Sequence, residues 1–441
     1  MDSKRNPSAI YQRPTELLRR LIQFNITNPP GNEAECISFI NGLLNEAGVE
    51  TNILGQTPER PNLIARLHGK GSASPLVLYG HVDVVTTANQ QWQHPPFAGE
   101  VADGFVWGRG ALDMKGGVAM MLAAFLRAKL EALNLPGDVI LAIVCDEEAG
   151  GFFGSKYLVE NHADLFEGVQ YALGEFGGFT IYVGKQRFYP IMVAEKQMCW
   201  MKATVRGAGG HGSIPVRGGA MAKLSQLLQR LDKNRLPVHV TPVARRMFKT
   251  IASASGGLRG LILGQLTNPL LTDRVLNALG QRGRTFDPLL HNTVSPTILH
   301  GNCKVNVIPS EVSVELDGRL LPGYRPDDLI SELGRIVGDD LEIEVIHHEP
   351  GPADPDMGLF GLLADVLRQA DPDGIPVPLL LGARTDARFF SRLGIQTYGF
   401  LPMPLPEDFN FTQTIHAADE RIPVESVGFG ADAIYEVLRR F

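Results

Sequence analysis

The first pattern in the chain is an alternation of short apolar runs with longer segments in which apolar residues recur every three or four positions. The apolar runs Leu63–Leu67, Pro75–Tyr79 and Val139–Cys145 predict buried β-strands. Thr15–Asn25 and Glu33–Ala47 have the spacing of amphipathic helices. Strands that alternate with helices along a chain are typical of an α/β fold. The first part of the chain is therefore predicted to form a sheet covered by helices.

The pattern changes near Lys196, where a different order of elements begins. Strand, helix, strand, strand, helix and strand follow one another, which is the order of the ferredoxin-like α+β unit. We therefore predict a larger domain formed by residues 1–195 and 351–441, with a smaller domain inserted over residues 196–350. The segment 237–295 is longer than such a unit needs and is predicted to add helices. The elements predicted for the inserted domain are the strands Gln197–Val205, 305–309, Glu311–Leu316 and Leu341–His347 and the helices Ala220–Leu231 and Pro326–Val337.

Composition excludes several classes of protein. With 441 residues, of which 44% are hydrophobic and 20% charged, this is an ordinary globular sequence long enough for two domains. The net charge of −7 provides no basic surface, and no apolar stretch approaches the roughly 18 residues of a membrane span. We therefore expect neither nucleic acid nor a membrane as a partner.

The N-terminus and the cysteines predict the compartment. The first residues are polar and lead to no apolar segment, which argues against a signal peptide. The cysteines lack Cys-x-x-Cys spacing, so we expect reduced, mostly buried thiols in a cytoplasmic protein. They are Cys36, Cys145, Cys199 and Cys303.

Polar residues with metal-binding side chains follow the predicted strands. In an open α/β sheet, ligands bind beyond the carboxyl ends of the strands, so we expect these side chains to converge. Histidine with several carboxylates is the donor set of zinc and similar divalent ions. The donors are too many for one tetrahedral ion with an open position, whereas two ions that share a bridging carboxylate would use them better. The residues are His81 and Asp83, Asp113, Asp146 to Glu148, Glu175 and His416.

Three motifs in these positions resemble a known family. His81-Val-Asp83-Val-Val, Gly110-Ala-Leu-Asp113-Met-Lys-Gly-Gly and Asp146-Glu147-Glu148 resemble the co-catalytic zinc peptidases and deacylases of the M20 family. That group includes glutamate carboxypeptidase, acetylornithine deacetylase, succinyl-diaminopimelate desuccinylase and aminoacylase-1. The resemblance runs from about Thr15 to the C-terminus. It implies a mixed-sheet, zinc-exopeptidase-like catalytic domain with an inserted ferredoxin-like lid domain, and a homodimer formed through that lid.

The resemblance also implies roles for individual residues. His81 and Glu175 are expected to bind one ion and Glu148 and His416 the other, with Asp113 bridging both. Asp83 is expected to orient His81, as carboxylates commonly do for metal-bound histidines. The cofactors implied are two divalent ions per chain, zinc in the first place, with Co²⁺ or Mn²⁺ as alternatives.

Glu147 is the candidate general base. Neighbouring side chains at a strand end point to opposite sides, so Glu147 and Glu148 cannot both face one metal easily. The carboxylate that does not bind metal can take a proton from the attacking water and pass it to the leaving amine.

The inserted domain contains a glycine loop with a histidine. Gly207-x-Gly-x-x-Gly212 formally matches a dinucleotide-binding motif, but Pro215 follows at once and Asp232 ends a helix pattern instead of a strand. An NAD-dependent enzyme is therefore the poorer interpretation. By resemblance, the loop presents His211 to the oxygen of the scissile carbonyl, from the same subunit or from a partner.

The remaining candidate residues concern the substrate. Asn306, Arg319 and Thr385 resemble positions that hold substrate, and the fork of an arginine matches a carboxylate. We therefore expect a hydrolase that cleaves an amide bond of a peptide or N-acyl amino acid with a free carboxylate. Peptidase and N-acyl-amino-acid deacylase are not separated by these residues. The alternative from another class is a non-catalytic relative that binds the same ligands.

Overall fold

The computed structural model describes residues 7–301, 304–338 and 341–441, without the side chains of Pro7, Ser8 and Arg282. The chain divides into two compact units. The first unit contains the residues up to Val193, Asp356–Leu379 and Thr385–Phe441. The second unit contains Ala194–Pro355 and Leu380–Arg384.

The strands and helices are numbered in chain order. The strands are β1 (Thr51–Leu54), β2 (Asn62–Leu67), β3 (Leu76–His81), β4 (Glu100–Ala102), β5 (Phe105–Trp107), β6 (Val139–Val144), β7 (Tyr171–Gly174), β8 (Ile181–Val183), β9 (Gln186–Glu195), β10 (Gln197–Arg206), β11 (Gly210–His211), β12 (Thr293–His300), β13 (Val307–Ile308), β14 (Glu311–Leu320), β15 (Glu342–Glu349), β16 (Gly374–Leu381), β17 (Gln396–Gly399) and β18 (Arg421–Pro423). The helices are α1 (Pro14–Ile22), α2 (Ala34–Glu46), α3 (Lys115–Leu130), α4 (Ser155–Asn161), α5 (Ala220–Lys233), α6 (Pro242–Ser255), α7 (Gly257–Gly264), α8 (Thr272–Leu279), α9 (Gln281–Phe286), α10 (Pro326–Val337), α11 (Phe360–Ala370), α12 (Ala387–Phe390), α13 (Phe411–Thr414) and α14 (Val424–Arg440).

The first unit is built on a mixed sheet. Its strand order is β1-β2-β6-β3-β7-β17-β9-β16, with β8 paired to β9. Strand β3 runs parallel to β6 and β7, and β17 runs parallel to β7. Every residue of β3 and β6 is buried, as expected for central strands covered on both faces. The mixed α/β fold class expected from the sequence is confirmed.

The parallel strands determine where the polar residues lie. Because β3, β6 and β7 run in the same direction, the residues that follow them meet at one edge of the sheet. Helix α3, which is buried along most of its length, packs against β3, α1 and α14. The turn that leads into α3 brings Asp113 to the same edge, where it meets His81.

The second unit is built on an antiparallel sheet with the order β12-β14-β10-β15. Helices α5 and α10 pack on it, and their leucines share a core with apolar residues of β10 and β14. The order of elements is the expected strand-helix-strand-strand-helix-strand. The prediction of the second strand was wrong: the strand is Thr293–His300, while the predicted segment 305–309 contributes only the short β13, which pairs with β11.

Four helices, α6 to α9, lie between α5 and β12 in the chain. Helix α6 begins after Thr241, whose hydroxyl accepts a hydrogen bond from the main-chain N–H of Ala244. None of the described helices combines the length and hydropathy needed to cross a membrane. Cys36, Cys145 and Cys199 are buried free thiols, as expected; Cys303 lies outside the described residues.

Candidate active site and metal centre

Two groups of donor side chains meet at the carboxyl edge of the sheet. One group contains His81, Asp113 and Glu175, and the other contains Asp113, Glu148 and His416. Within each group the candidate ligand atoms lie within 4.8 Å of one another. Asp113 belongs to both groups, so it occupies the position of a bridging carboxylate.

The two oxygens of Asp113 face different histidines. Oδ1 lies 3.2 Å from Nε2 of His81, and Oδ2 lies 3.2 Å from Nε2 of His416. Oε2 of Glu175 lies 3.6 Å from the same nitrogen of His81, and Oε2 of Glu148 lies 3.3 Å from that of His416. A carboxylate whose oxygens face separate histidine and glutamate pairs suits two ions side by side.

The tautomer of His81 also suits a metal. Its Nδ1 lies 3.0 Å from the main-chain oxygen of Asp83, which can only accept a hydrogen bond. Nδ1 therefore carries a proton, and Nε2, which faces Asp113 and Glu175, is the ring nitrogen left to bind an ion. His81 is 1% exposed, so the surrounding side chains keep its ring in this orientation.

Buried carboxylate oxygens at the site lack hydrogen-bond partners. These atoms are Oε1 of Glu148 and Oε1 of Glu175. Burial raises the pKa of the Glu175 carboxyl to about 7 and also raises the pKa of Glu148, where the charge of Asp113 acts in the same direction. Unpaired carboxylate oxygens in a buried, negatively charged cluster are the surroundings that a divalent cation stabilises. The residues present therefore fit a pair of metal ions.

Asp83 has more contacts than orienting His81 requires. Its buried carboxylate accepts hydrogen bonds from the main-chain N–H groups of Glu147 at 3.2 Å and Glu148 at 3.1 Å. It also accepts a bond of 2.8 Å from the side-chain amide of Asn28, while its Oδ1 lies 3.5 Å from Nδ1 of His81. Asp83 thus anchors the turn that carries both glutamates. Asn28 was missed, because no motif links it to residues so distant in the sequence.

Glu147 lies on a tight turn instead of an extended strand end. Glu147–Ala149 form a short 3-10 helix after Asp146, whose φ is +70°. The prediction that Glu147 and Glu148 lie at an extended strand end was therefore wrong, since both belong to this turn. Burial, and next the charge of Glu175, raise the pKa of Glu147 well above its ordinary value. Glu147 belongs to neither donor group, which leaves its carboxyl free for proton transfer.

The loop before α12 adds a buried acid that sequence reasoning missed. Asp386 is completely buried, and its charge contributes to the raised pKa values of Glu147 and Glu175. The neighbouring Thr385, a predicted substrate residue, is buried and accepts a hydrogen bond from the main-chain N–H of Ala387.

The other predicted site residues belong to the second unit. His211 is exposed on β11, with its Nδ1 2.7 Å from the hydroxyl of Ser213. The main-chain oxygen of Asn306 accepts a hydrogen bond of 2.8 Å from the main-chain N–H of Gly212, next to the β11–β13 ribbon. Arg319 contacts Asp317 through two nitrogens, at 2.8 and 3.1 Å. This arginine therefore already has a carboxylate partner within its own strand.

A mixed α/β sheet with paired histidine and carboxylate groups at its carboxyl edge defines a metal-dependent hydrolase. The chain belongs to peptidase family M20/M25/M40, whose family model matches residues 77–440. It is an enzyme of the peptidase and amidohydrolase type, and the family resemblance found in the motifs is confirmed.

Relatives within the family are named either as carboxypeptidase-like proteins or as N-acyl-amino-acid hydrolases. The chain is 29% identical to "Probable carboxypeptidase S-like 2" of Dictyostelium discoideum over 83% of this chain and 72% of that protein. It is 27% identical to "N-fatty-acyl-amino acid synthase/hydrolase PM20D1" of Mus musculus over 83% of this chain and 74% of that protein. Human carnosine dipeptidase 1 has a similar structure, with a TM-score of 0.67 at 16% identity, covering 98% of this chain and 96% of that chain. This last similarity shows the fold.

Proposed function

We propose that the protein hydrolyses an amide bond of a peptide or N-acyl amino acid with a free carboxylate, with the help of two divalent metal ions. The observation that carries this proposal is the position of Asp113, whose two oxygens face separate pairs of histidine and glutamate. Membership of a metal-dependent peptidase and acylase family supports it. The relatives named above include both a carboxypeptidase-like protein and an N-acyl-amino-acid hydrolase.

Five residues would hold the ions. His81, Asp113 and Glu175 would bind one ion, and Asp113, Glu148 and His416 the other. Imidazole and carboxylate ligands suit zinc, and Co²⁺ or Mn²⁺ accept the same donors. The bound pair would lower the pKa of a water molecule and polarise the carbonyl that this water attacks.

Glu147 would move the proton. Its carboxylate accepts a proton from the attacking water and delivers it to the amide nitrogen as the carbon–nitrogen bond breaks. A raised pKa suits both steps, because the group must hold the proton briefly and then release it near neutral pH.

The second unit supplies the proposed substrate contacts. Arg319 can exchange its bond to Asp317 for one to the free carboxylate of a substrate, with Asn306 as a further candidate. Thr385 of the first unit is a third candidate. His211 would contact the oxygen of the scissile carbonyl. Because His211 is exposed on a two-stranded ribbon, we propose that it acts in the site of a partner subunit within a homodimer.

The test combines metal content, a substrate panel and one variant. Metal-depleted protein should bind about two zinc ions per chain and gain activity on dipeptides or on N-acyl amino acids. Glu147→Gln should keep both ions and lose turnover by about 10²–10⁴-fold, because an amide cannot accept the proton. Glu160→Gln, an exposed change on α4, is the matched control. A Glu147→Gln variant with normal kcat would remove Glu147 from the mechanism.

A further inference from the structure

A buried carboxylate outside the donor groups holds the loop that leads to Asp113. Glu420 is completely buried. Its Oε1 accepts hydrogen bonds from the main-chain N–H groups of Leu112 at 2.8 Å and Asp113 at 3.1 Å. Its Oε2 accepts one from Gly110 at 3.1 Å. A single side chain thus fixes the backbone at and before the bridging aspartate.

Arg109 connects this carboxylate to the loop of His416. Its guanidinium, 1% exposed, donates to Oε2 of Glu420 at 2.6 Å and to the side-chain oxygen of Gln90 at 2.8 Å. The amide of Gln90 donates in turn to the main-chain oxygen of His416 at 2.9 Å. The ring of Trp92 lies 5.1 Å from the guanidinium and covers it. The contacts form a continuous path from Asp113 to His416.

His416 needs such support because its own surroundings restrain it little. Its side chain is 50% exposed, and its φ of +60° lies in the left-handed region that non-glycine residues seldom adopt. A planar guanidinium is suited to this task, since its fixed fork binds two acceptors at a set angle.

We propose that Glu420, Arg109 and Gln90 form a positioning network that sets the distance between Asp113 and His416, and so governs how tightly the second donor group binds its ion. The inference rests on the proposed two-metal function. The two ends of the network act on different metal ligands. Glu420 acts on Asp113, which both groups share, whereas Gln90 acts on His416, which only the second group contains.

The first test uses Gln90→Ala, which removes a partly exposed side chain and leaves the buried charge pair in place. Zinc is titrated into metal-depleted protein in competition with a coloured chelator, without substrate. We expect the first ion to bind as in the wild type and the affinity for the second to fall about 10–100-fold, the usual effect of losing a contact that orients a ligand. Gln91→Ala, an exposed change one residue away, should bind both ions normally.

The second test uses Glu420→Gln. An amide cannot replace the carboxylate towards Arg109 and three N–H groups, so both ions should bind more weakly. Glu332→Gln is the control: it removes another buried acid, which hydrogen-bonds His239 and Asn292 in the second unit. That variant should lower the melting temperature and leave zinc affinity unchanged. If Glu420→Gln does not fold, the Gln90→Ala titration decides alone.

The outcomes separate the inference from the proposed function. Normal binding of both ions by Gln90→Ala would overturn the positioning network, and the proposed function would stand. Uptake of a single ion by the wild type would overturn the proposed function and with it this inference. Weaker binding of the second ion alone in Gln90→Ala, with both ions bound more weakly in Glu420→Gln, is the result that supports the network.

Discussion

Asp83 shows how much of this site depends on one carboxylate. It contacts Asn28, His81 and the main chain at Glu147 and Glu148, so it joins three separate parts of the chain. Charge-assisted hydrogen bonds of this kind are stronger than neutral ones. The residue therefore fixes the histidine of one donor group and the turn that carries both glutamates.

Asp83→Asn should reduce kcat/KM and zinc affinity by about 10–100-fold. The amide nitrogen of asparagine would face a main-chain N–H, so one hydrogen bond is lost and a repulsion replaces it. Both quantities should be measured on the same metal-depleted preparation. Asp138→Asn is the control. Asp138 lies just before β6, at the start of that strand, and accepts a hydrogen bond from the main-chain N–H of Gly69. Unchanged values for Asp83→Asn would show that the turn is held by other contacts.

The residues that could be predicted from the sequence are those that belong to motifs. His81, Asp113 and Glu148 follow strands or precede a helix in recognisable order, and the structure brings them together with Glu175 and His416. Glu420 could not be found in this way. Its partners Gly110 and Leu112 lie more than 300 positions earlier in the chain. Such contacts arise only from tertiary folding.

At the level of elements, strand β12 could not be predicted from the sequence. Thr293–His300 contains Pro296, which normally argues against a strand because proline lacks an N–H. The strand lies at the edge of its sheet, where this loss is tolerated, and its register with β14 shifts between Pro296 and Ile298. An edge position depends on the whole sheet and cannot be read from local pattern. The predicted strand Glu311–Leu316 is confirmed, and in the structure β14 continues to Leu320.

A buried lysine joins two strands of the second unit. Lys196, immediately before β10, donates to the main-chain oxygen of His291 at 2.9 Å and to the hydroxyl of Thr293 at 2.8 Å. It is 1% exposed, and burial lowers the pKa of its amine to about 7. An uncharged amine can still donate both bonds, so deprotonation relieves the cost of a buried charge without breaking the contact.

Lys196 should make stability rise with pH between about 7 and 10. In that range the unfolded chain binds the lysine proton and the folded protein does not, so the free energy of unfolding increases with pH. Lys196→Met should remove this increase. Urea unfolding at about pH 7 and about pH 9.5 measures this increase for both proteins, with Lys202→Met on the adjoining strand β10 as the control. Equal pH dependence in the wild type and Lys196→Met would contradict the expected titration.

At the scale of the whole molecule, His211 and the donor groups belong to different units, so the proposed role of His211 in the reaction needs an explanation. The donor groups belong to the first unit and His211 to the second. The proposed homodimer assigns His211 to the neighbouring subunit's site. Symmetric dimers of this kind present two equivalent sites, each completed by the other chain.

Mixing two inactive variants tests this arrangement. His211→Ala and Glu147→Gln should each be inactive alone, and after subunit exchange about one quarter of wild-type activity should return. The estimate assumes random pairing, in which half of the dimers are mixed and one of their two sites is intact. Wild-type protein mixed with Glu147→Gln should keep about one half of its activity with or without exchange, so it controls for loss of activity during mixing. Verified heterodimers without activity would show that His211 does not act in the partner's site.

The spread of the donors along the chain has a consequence for biosynthesis. The first donor group is complete in sequence at Glu175, but the second lacks its imidazole until His416, which is 416 − 175 = 241 positions later. At about 5–20 residues per second, synthesis of that stretch takes on the order of 10–50 s. In the proposed enzyme the second ion can therefore be bound only after translation has passed residue 416, whereas the first donor group is complete in sequence well before that point.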